Sequence, residues 1–248
     1  MIRFRIAVLC MLSTAALHAN TVFFDQTFTS GWIDSVVTNQ NMTSYTYVAS
    51  NPSTGGTGGA GDPYRQETHT MNQNVANTFA ILRDFNYNPA NTYTPKTQGA
   101  IQSLDYTFDL LLIVTPGGAG VGYGLAMEQN GKTYISTTTA AGSSSWTNTS
   151  VTGRTATDFI EALNSGPYPN VDVNSHPDFS AGALGNAITF GYFVGNSFQF
   201  STSITATSGI DNWNVSLTTA TPEPSSALSI ATGLGLFLAA CKLRRRIV

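Results

Sequence analysis

Apolar and polar residues alternate one by one over much of the middle of the chain. In Leu104-Asp105-Tyr106-Thr107-Phe108-Asp109-Leu110 the apolar side chains take every second place. A strand turns successive side chains to opposite faces, so this segment predicts a half-buried antiparallel strand. The same period recurs at Ser44 to Val48, Tyr123 to Met127, Ile188 to Val194, Ser197 to Ile204 and Ile210 to Leu217. Turn residues separate these runs. Asn51 to Pro63 is a glycine-rich loop, Pro116 to Gly120 a turn, and Asn130-Gly131 a hairpin dipeptide ahead of Tyr134 and Ile135. One short helix is expected, capped by Thr155 or Thr157, carrying Phe159, Ile160 and Leu163 on one face and ended by Asn164-Ser165-Gly166-Pro167. The pattern predicts an all-β fold, an antiparallel two-sheet sandwich of jelly-roll type.

Two stretches do not alternate. Arg3 and Arg5 precede an apolar run from Ile6 to Leu17, and Ala19 is a small residue ahead of Asn20, which is the layout of a secretory signal peptide over residues 1–19. At the other end an apolar run from Ala227 to Cys241 follows Pro222-Glu223-Pro224 and leads into Lys242, Arg244, Arg245 and Arg246. At about 1.5 Å per residue that run reaches roughly 22 Å as a helix, short of a bilayer core of ~30 Å. In order and spacing, residues 221–248 resemble the PEP-CTERM sorting signal. The resemblance implies a transmembrane helix at 227–241, a basic cluster at 242–246 and an exosortase-type membrane protease as partner. Both ends place their basic residues so that residues 20–220 lie outside the membrane as one domain.

Without the two end segments the composition changes. Cys10 and Cys241 both fall in them, so no disulfide framework is expected in the domain between. Five basic residues (Arg65, Arg83, Lys96, Lys132, Arg154) then face thirteen acidic ones, an excess of eight negative charges. Such a surface disfavours nucleic acid and anionic headgroups and suits neutral sugars or divalent cations.

No nucleophile elbow, phosphate loop or dinucleotide fingerprint occurs, and no catalytic residue is assigned. Asp105 and Asp109 share a strand face, but four residues at about 3.3 Å set them roughly 13 Å apart, beyond either glycosidase geometry. His69 and His176 show no ligand spacing with another histidine or cysteine, so a transition-metal site is not expected. Calcium suits the oxygen-rich composition better. Asp172 and Asp178, around Asn170-Val171-Asp172-Val173-Asn174, form one candidate loop, although Ser175 stands where an EF-hand needs glycine. Asp25 and Asp211 form another if the first and last strands pair. For sugar, exposed rings are the expected platform: Trp146 in its polar Ser-rich stretch, then Tyr64 and Tyr168, with Trp32 and Trp213 assigned to the core.

Phe23-Phe24-Asp25 leading to Trp32, the glycines before Tyr64 and the closing Gly209-Ile210-Asp211-Asn212-Trp213 are similar to the first and last strands of concanavalin-like and laminin-G-like domains. That resemblance implies adjacent terminal strands, and a galactose-binding-like jelly roll is the alternative. The sorting resemblance implies an exported cell-surface or matrix protein associated with exopolysaccharide, structural or carbohydrate-binding. A polysaccharide hydrolase or lyase is the other reading.

Overall fold

The computed structural model describes residues 18–73, 78–114, 119–199 and 202–220. The signal segment up to residue 17 and the whole sorting tail lie outside the described residues, as does most of the predicted turn at Pro116 to Gly120.

Among the described residues, thirteen strands form two antiparallel sheets. In chain order they are β1 (His18–Asp25), β2 (Ile33–Thr38), β3 (Met42–Ser50), β4 (Arg65–Gln73), β5 (Ala80–Tyr93), β6 (Ile101–Val114), β7 (Ala119–Gln129), β8 (Lys132–Ser136), β9 (Thr147–Arg154), β10 (Phe159–Ala162), β11 (Val171–Asp172), β12 (Ile188–Phe198) and β13 (Ser203–Ala220). One sheet runs β3-β4-β13-β6-β9, with β1 also on β13; the other runs β11-β10-β8-β7-β12-β5-β2. The first and last strands pair as the resemblance implies, Asp25 opposite Trp213 and His18 opposite Ala220.

The alternating residues meet between the sheets. Leu104, Tyr106, Phe108 and Leu110 are buried, facing Tyr123, Leu125 and Met127 across the sandwich core. Trp213 is fully buried and Trp32 packs edge-on against it at 5.4 Å, so both sit where the sequence puts them. Asn130 and Gly131 take φ of 56° and 73°, the left-handed pair that a two-residue hairpin between β7 and β8 requires.

Two local expectations are corrected. The segment after Thr155 is no helix. Thr155 and Asp158 cap a single 3₁₀ turn, Ala156–Asp158, and the chain then extends as β10, pairing Phe159 with Ser136 and Ile160 with Ile135. Aromatic and β-branched side chains suit that sheet edge, which pairs backbone groups that a four-residue helix leaves open. The short helix lies instead at Pro95–Gln98 (α1), with proline in its first turn. Ser197 to Ile204 is likewise not one strand: Phe198 ends β12 in one sheet and Ile204 belongs to β13 in the other.

Candidate functional site

The outward face of the seven-stranded sheet carries a trough. Register puts Ile81, Arg83, Phe85 and Tyr87 of β5 beside Ser197, Gly195, Phe193 and Gly191 of β12, and these beside Gly120, Gly122, Gly124 and Ala126 of β7. Five of the eight places on the two central strands are therefore glycine, and Phe85, Tyr87, Ala126 and Phe193 pack into a buried cluster beside them. The Phe193 ring fills the space at Gly124, where a Cβ would come within 2.5 Å of it. Over Gly122 a Cβ would meet nothing nearer than Thr139 at 3.7 Å, an ordinary contact that leaves room for a side chain.

A loop closes one side. Residues 163–170 join β10 to β11 and reach across to Gln40, just past β2, and to β5. Arg83 holds them, its Nη1 donating to Asn170 Oδ1 at 2.6 Å and its Nη2 to the Pro169 carbonyl at 2.8 Å. Burial lowers the Arg83 pKa from its ordinary value. Tyr168, 51 % exposed, stacks at 5.1 Å on Phe79, 43 % exposed, and makes an aromatic rim. The hollow beside it, about 330 Å³, is lined by Arg83, Gly122, Thr139, Tyr168, Phe193 and Asn196 among others. A second hollow of about 460 Å³ lies toward the other end of the same face, with Ser35, Tyr87, Glu128, Thr133 and Asn164 in its lining.

Of the predicted ring platform, Tyr168 stands at this trough and the other two do not. Trp146 and Tyr64 meet edge to face at 5.3 Å on the opposite sheet. The Trp146 indole N–H donates to the Gly55 carbonyl at 2.9 Å, and both rings close over Gly209 of β13. Tyr64 is buried and Trp146 half-buried.

The predicted calcium carboxylates sit in separate turns. Asp25 Oδ1 accepts the Thr27 and Phe28 N–H groups at 2.8 Å, and its Oδ2 accepts the Trp32 indole N–H at 2.8 Å. Asp211 Oδ2 accepts from Thr57 N and Oγ1 at 2.9 Å, and its Oδ1 from Asn212 N. Asp172 and Asp178 each close a turn, on Asn174 N and Ser180 N. None of the four belongs to a group of three acidic, histidine or cysteine side chains converging on one point among the described residues.

One such group exists among them, and sequence reading passes over it. Glu67, His69 and Asp84 lie between the sheets with ligand-type atoms within 4.8 Å of one another. The readable signal is the alternation Arg65, Glu67, His69, Met71 along β4, which places charged residues on the face that Met71 commits to the core.

No protein-family model matches the chain, and no curated protein matches it. Solved structures align with most of the chain at low similarity. A family 11 carbohydrate-binding module from Clostridium thermocellum, in complex with a β-1,3-1,4-mixed-linked tetrasaccharide, aligns over 82 % of this chain and 98 % of its own at 11 % identity and a TM-score of 0.41. A mannan-recognising carbohydrate-binding module, TmCBM27, aligns over 82 % and 99 % at 9 % identity and 0.33. A protein of infectious bursal disease virus aligns over 83 % of this chain and 33 % of its own at 6 % identity and 0.31.

Proposed function

We propose that this chain is an exported, non-catalytic surface protein that holds an extended polysaccharide in the trough of its seven-stranded sheet. The glycine floor carries the reading: it leaves a groove running along β7 and β12, walled by the Tyr168–Phe79 pair on one side, with hydroxyl, amide and guanidinium groups in reach. Apolar ring faces suit the C–H faces of a pyranose, and Ser35, Thr133, Thr139 and Asn164 suit its hydroxyls. The excess of acidic residues favours a neutral glycan.

The geometry opposes the hydrolase reading. Glu128 and Glu161 both line the second hollow, but Glu161 is already engaged there, its Oε2 accepting from Lys132 Nζ at 2.6 Å. Glycoside cleavage requires one carboxyl to give a proton and a second to attack or to activate water, and the ion pair with Lys132 occupies Glu161. Asp105 and Asp109 are engaged elsewhere, by Gly153 N and by Asn148 and Asn212.

The proposal includes sorting: residues 1–19 export the chain, and Pro222-Glu223-Pro224 with the basic cluster deliver it to an exosortase-type protease. Calorimetric titration of the full chain in detergent with the producing cell's exopolysaccharide tests the binding. Heat is expected from the wild-type chain and little or none from Gly122→Leu. Binding that Gly122→Leu leaves unaltered, or none at all, would overturn the trough assignment. Intact mass at the cell surface tests sorting separately: a species that keeps Arg244 to Arg246 contradicts processing.

A further inference from the structure

The Glu67, His69 and Asp84 cluster has no part in the trough. Glu67 and His69 stand two apart on β4, and Asp84 comes from β5 in the other sheet, so the group bridges the sandwich. All three are sealed from solvent, at 1 %, 0 % and 0 % exposure. We propose that these three side chains form a structural site for a divalent transition-metal ion, with zinc the best-fitting probe.

Charge is the first reason. The buried part of the network contains one guanidinium, Arg65, against the two carboxylates of Glu67 and Asp84, which leaves one negative charge uncompensated while His69 is neutral; the third carboxylate on Arg65, Asp34, is 31 % exposed. Arg65 is already committed, with its Nη2 on Asp34 Oδ1 at 2.5 Å and on Asn86 Oδ1 at 3.0 Å. An excess negative charge in a dry interior is costly unless a cation or a proton neutralises it.

Open ligand capacity is the second. Glu67 Oε2 and Asp84 Oδ1 accept no hydrogen bond among the described residues although both are fully buried. Glu67 Oε1 accepts from the Tyr192 hydroxyl at 2.5 Å, which fixes that carboxylate and leaves its other oxygen free. Buried polar atoms without partners are rare enough to need an explanation, and a role as cation ligands is one.

The imidazole is the third. His69 Nδ1 lies 3.0 Å from Asn196 Oδ1 and its Nε2 lies 3.3 Å from Asp84 Oδ2. With the Nδ1 proton donated to Asn196, the Nε2 lone pair faces the carboxylates, the arrangement in which metal-bound histidines are held by an outer hydrogen bond. Ligand atoms around a tetrahedral ion with bonds of about 2.0–2.2 Å stand roughly 3.4 Å apart. The histidine and Asp84 already have that spacing, and the cluster must contract by up to about 1.4 Å to include Glu67. One nitrogen and two carboxylate ligands suit zinc or manganese better than calcium or magnesium, which take oxygen. In a domain without cysteine such an ion would staple the two sheets together.

The test uses the full chain in detergent, stripped with chelator, and measures metal content and melting temperature after adding Zn²⁺, Mn²⁺, Ca²⁺ or Mg²⁺. Zn²⁺ is expected to remain at about one equivalent through gel filtration and to raise the melting temperature by about 5 °C or more, with no rise from Ca²⁺ or Mg²⁺. Glu67→Gln, which keeps shape and hydrogen bonding, should weaken retention about 100-fold, and His176→Ala should leave it unchanged. If Glu67→Gln fails to fold, the His69 imidazole signals in the NMR spectrum of the wild-type chain must still move on adding Zn²⁺. Less than about one-tenth of an equivalent retained, no thermal response, or unmoved His69 signals would overturn the site and leave a network neutralised by protons.

Discussion

The outward faces of the two sheets use glycine in opposite ways. On the six-stranded sheet, Gly209 makes room that Tyr64 and Trp146 fill, and the glycine-rich loop before Tyr64 is fastened down by Thr57 on Asp211. On the seven-stranded sheet, Gly122 makes room that a side chain could enter without crowding, beside an exposed aromatic pair. A missing side chain therefore marks a site only where no neighbour has taken the space, and a tryptophan in a polar loop marks one only where it has nothing to fold against.

Filling the open glycine should have the largest effect. Gly122→Leu is accommodated by the backbone and by Thr139, so the protein should fold normally and lose at least about tenfold in polysaccharide affinity, roughly 1.4 kcal/mol. Titration calorimetry beside a melting curve checks both halves. Trp146→Ala should do the reverse: stability falls by about 2 kcal/mol, since a half-buried ring and its hydrogen bond to Gly55 are lost, while affinity stays within about twofold. Denaturant unfolding measures the first and calorimetry the second. Tyr168→Ala, which removes half of the rim pair, should cost about 1 kcal/mol of binding with little change in melting temperature.

The smallest effect concerns the interior. Desolvation raises the Glu67 carboxyl to about 7, and Asp84 is raised for the same reason. The carboxylates around His69 outweigh its desolvation and raise it too. Groups that bind protons more tightly when folded stabilise the fold at low pH, and that stability is lost as pH rises through their folded pKa values. Chelated protein should thus be more stable near pH 5 than near pH 8, with the decline centred between the ordinary carboxylate range and about 7. Tyr47, Tyr192, Arg65 and Asp34 face the same cluster. Melting temperatures across that range in chelator measure it, and stability that climbs with pH would contradict the raised pKa values of all three groups.

Much of the architecture is legible in the sequence because period-two segments leave little choice: Leu104 to Leu110 must bury one face, and Asn130-Gly131 must turn. The resemblance of the terminal segments anticipates the pairing of β1 with β13. The β10 segment misleads because Phe159, Ile160 and Leu163 fit a helical spacing as well as a strand, and only the open edge of β8 decides between them. Of the site, Tyr168 is legible as an aromatic between prolines. Its partner Phe79 and the glycine floor are not, because they depend on the register of β5, β12 and β7, which no local pattern contains. The buried Glu67, His69 and Asp84 escape for a similar reason, since Asp84 reaches the other two only when the sheets stack.

Hydroxyl-radical footprinting of the full chain with and without the exopolysaccharide compares the two faces in one experiment. Tyr168 and Phe79 should become protected while Trp146 keeps its reactivity. Protection of Trp146 with Tyr168 and Phe79 unchanged would move the binding face to the six-stranded sheet and contradict the trough.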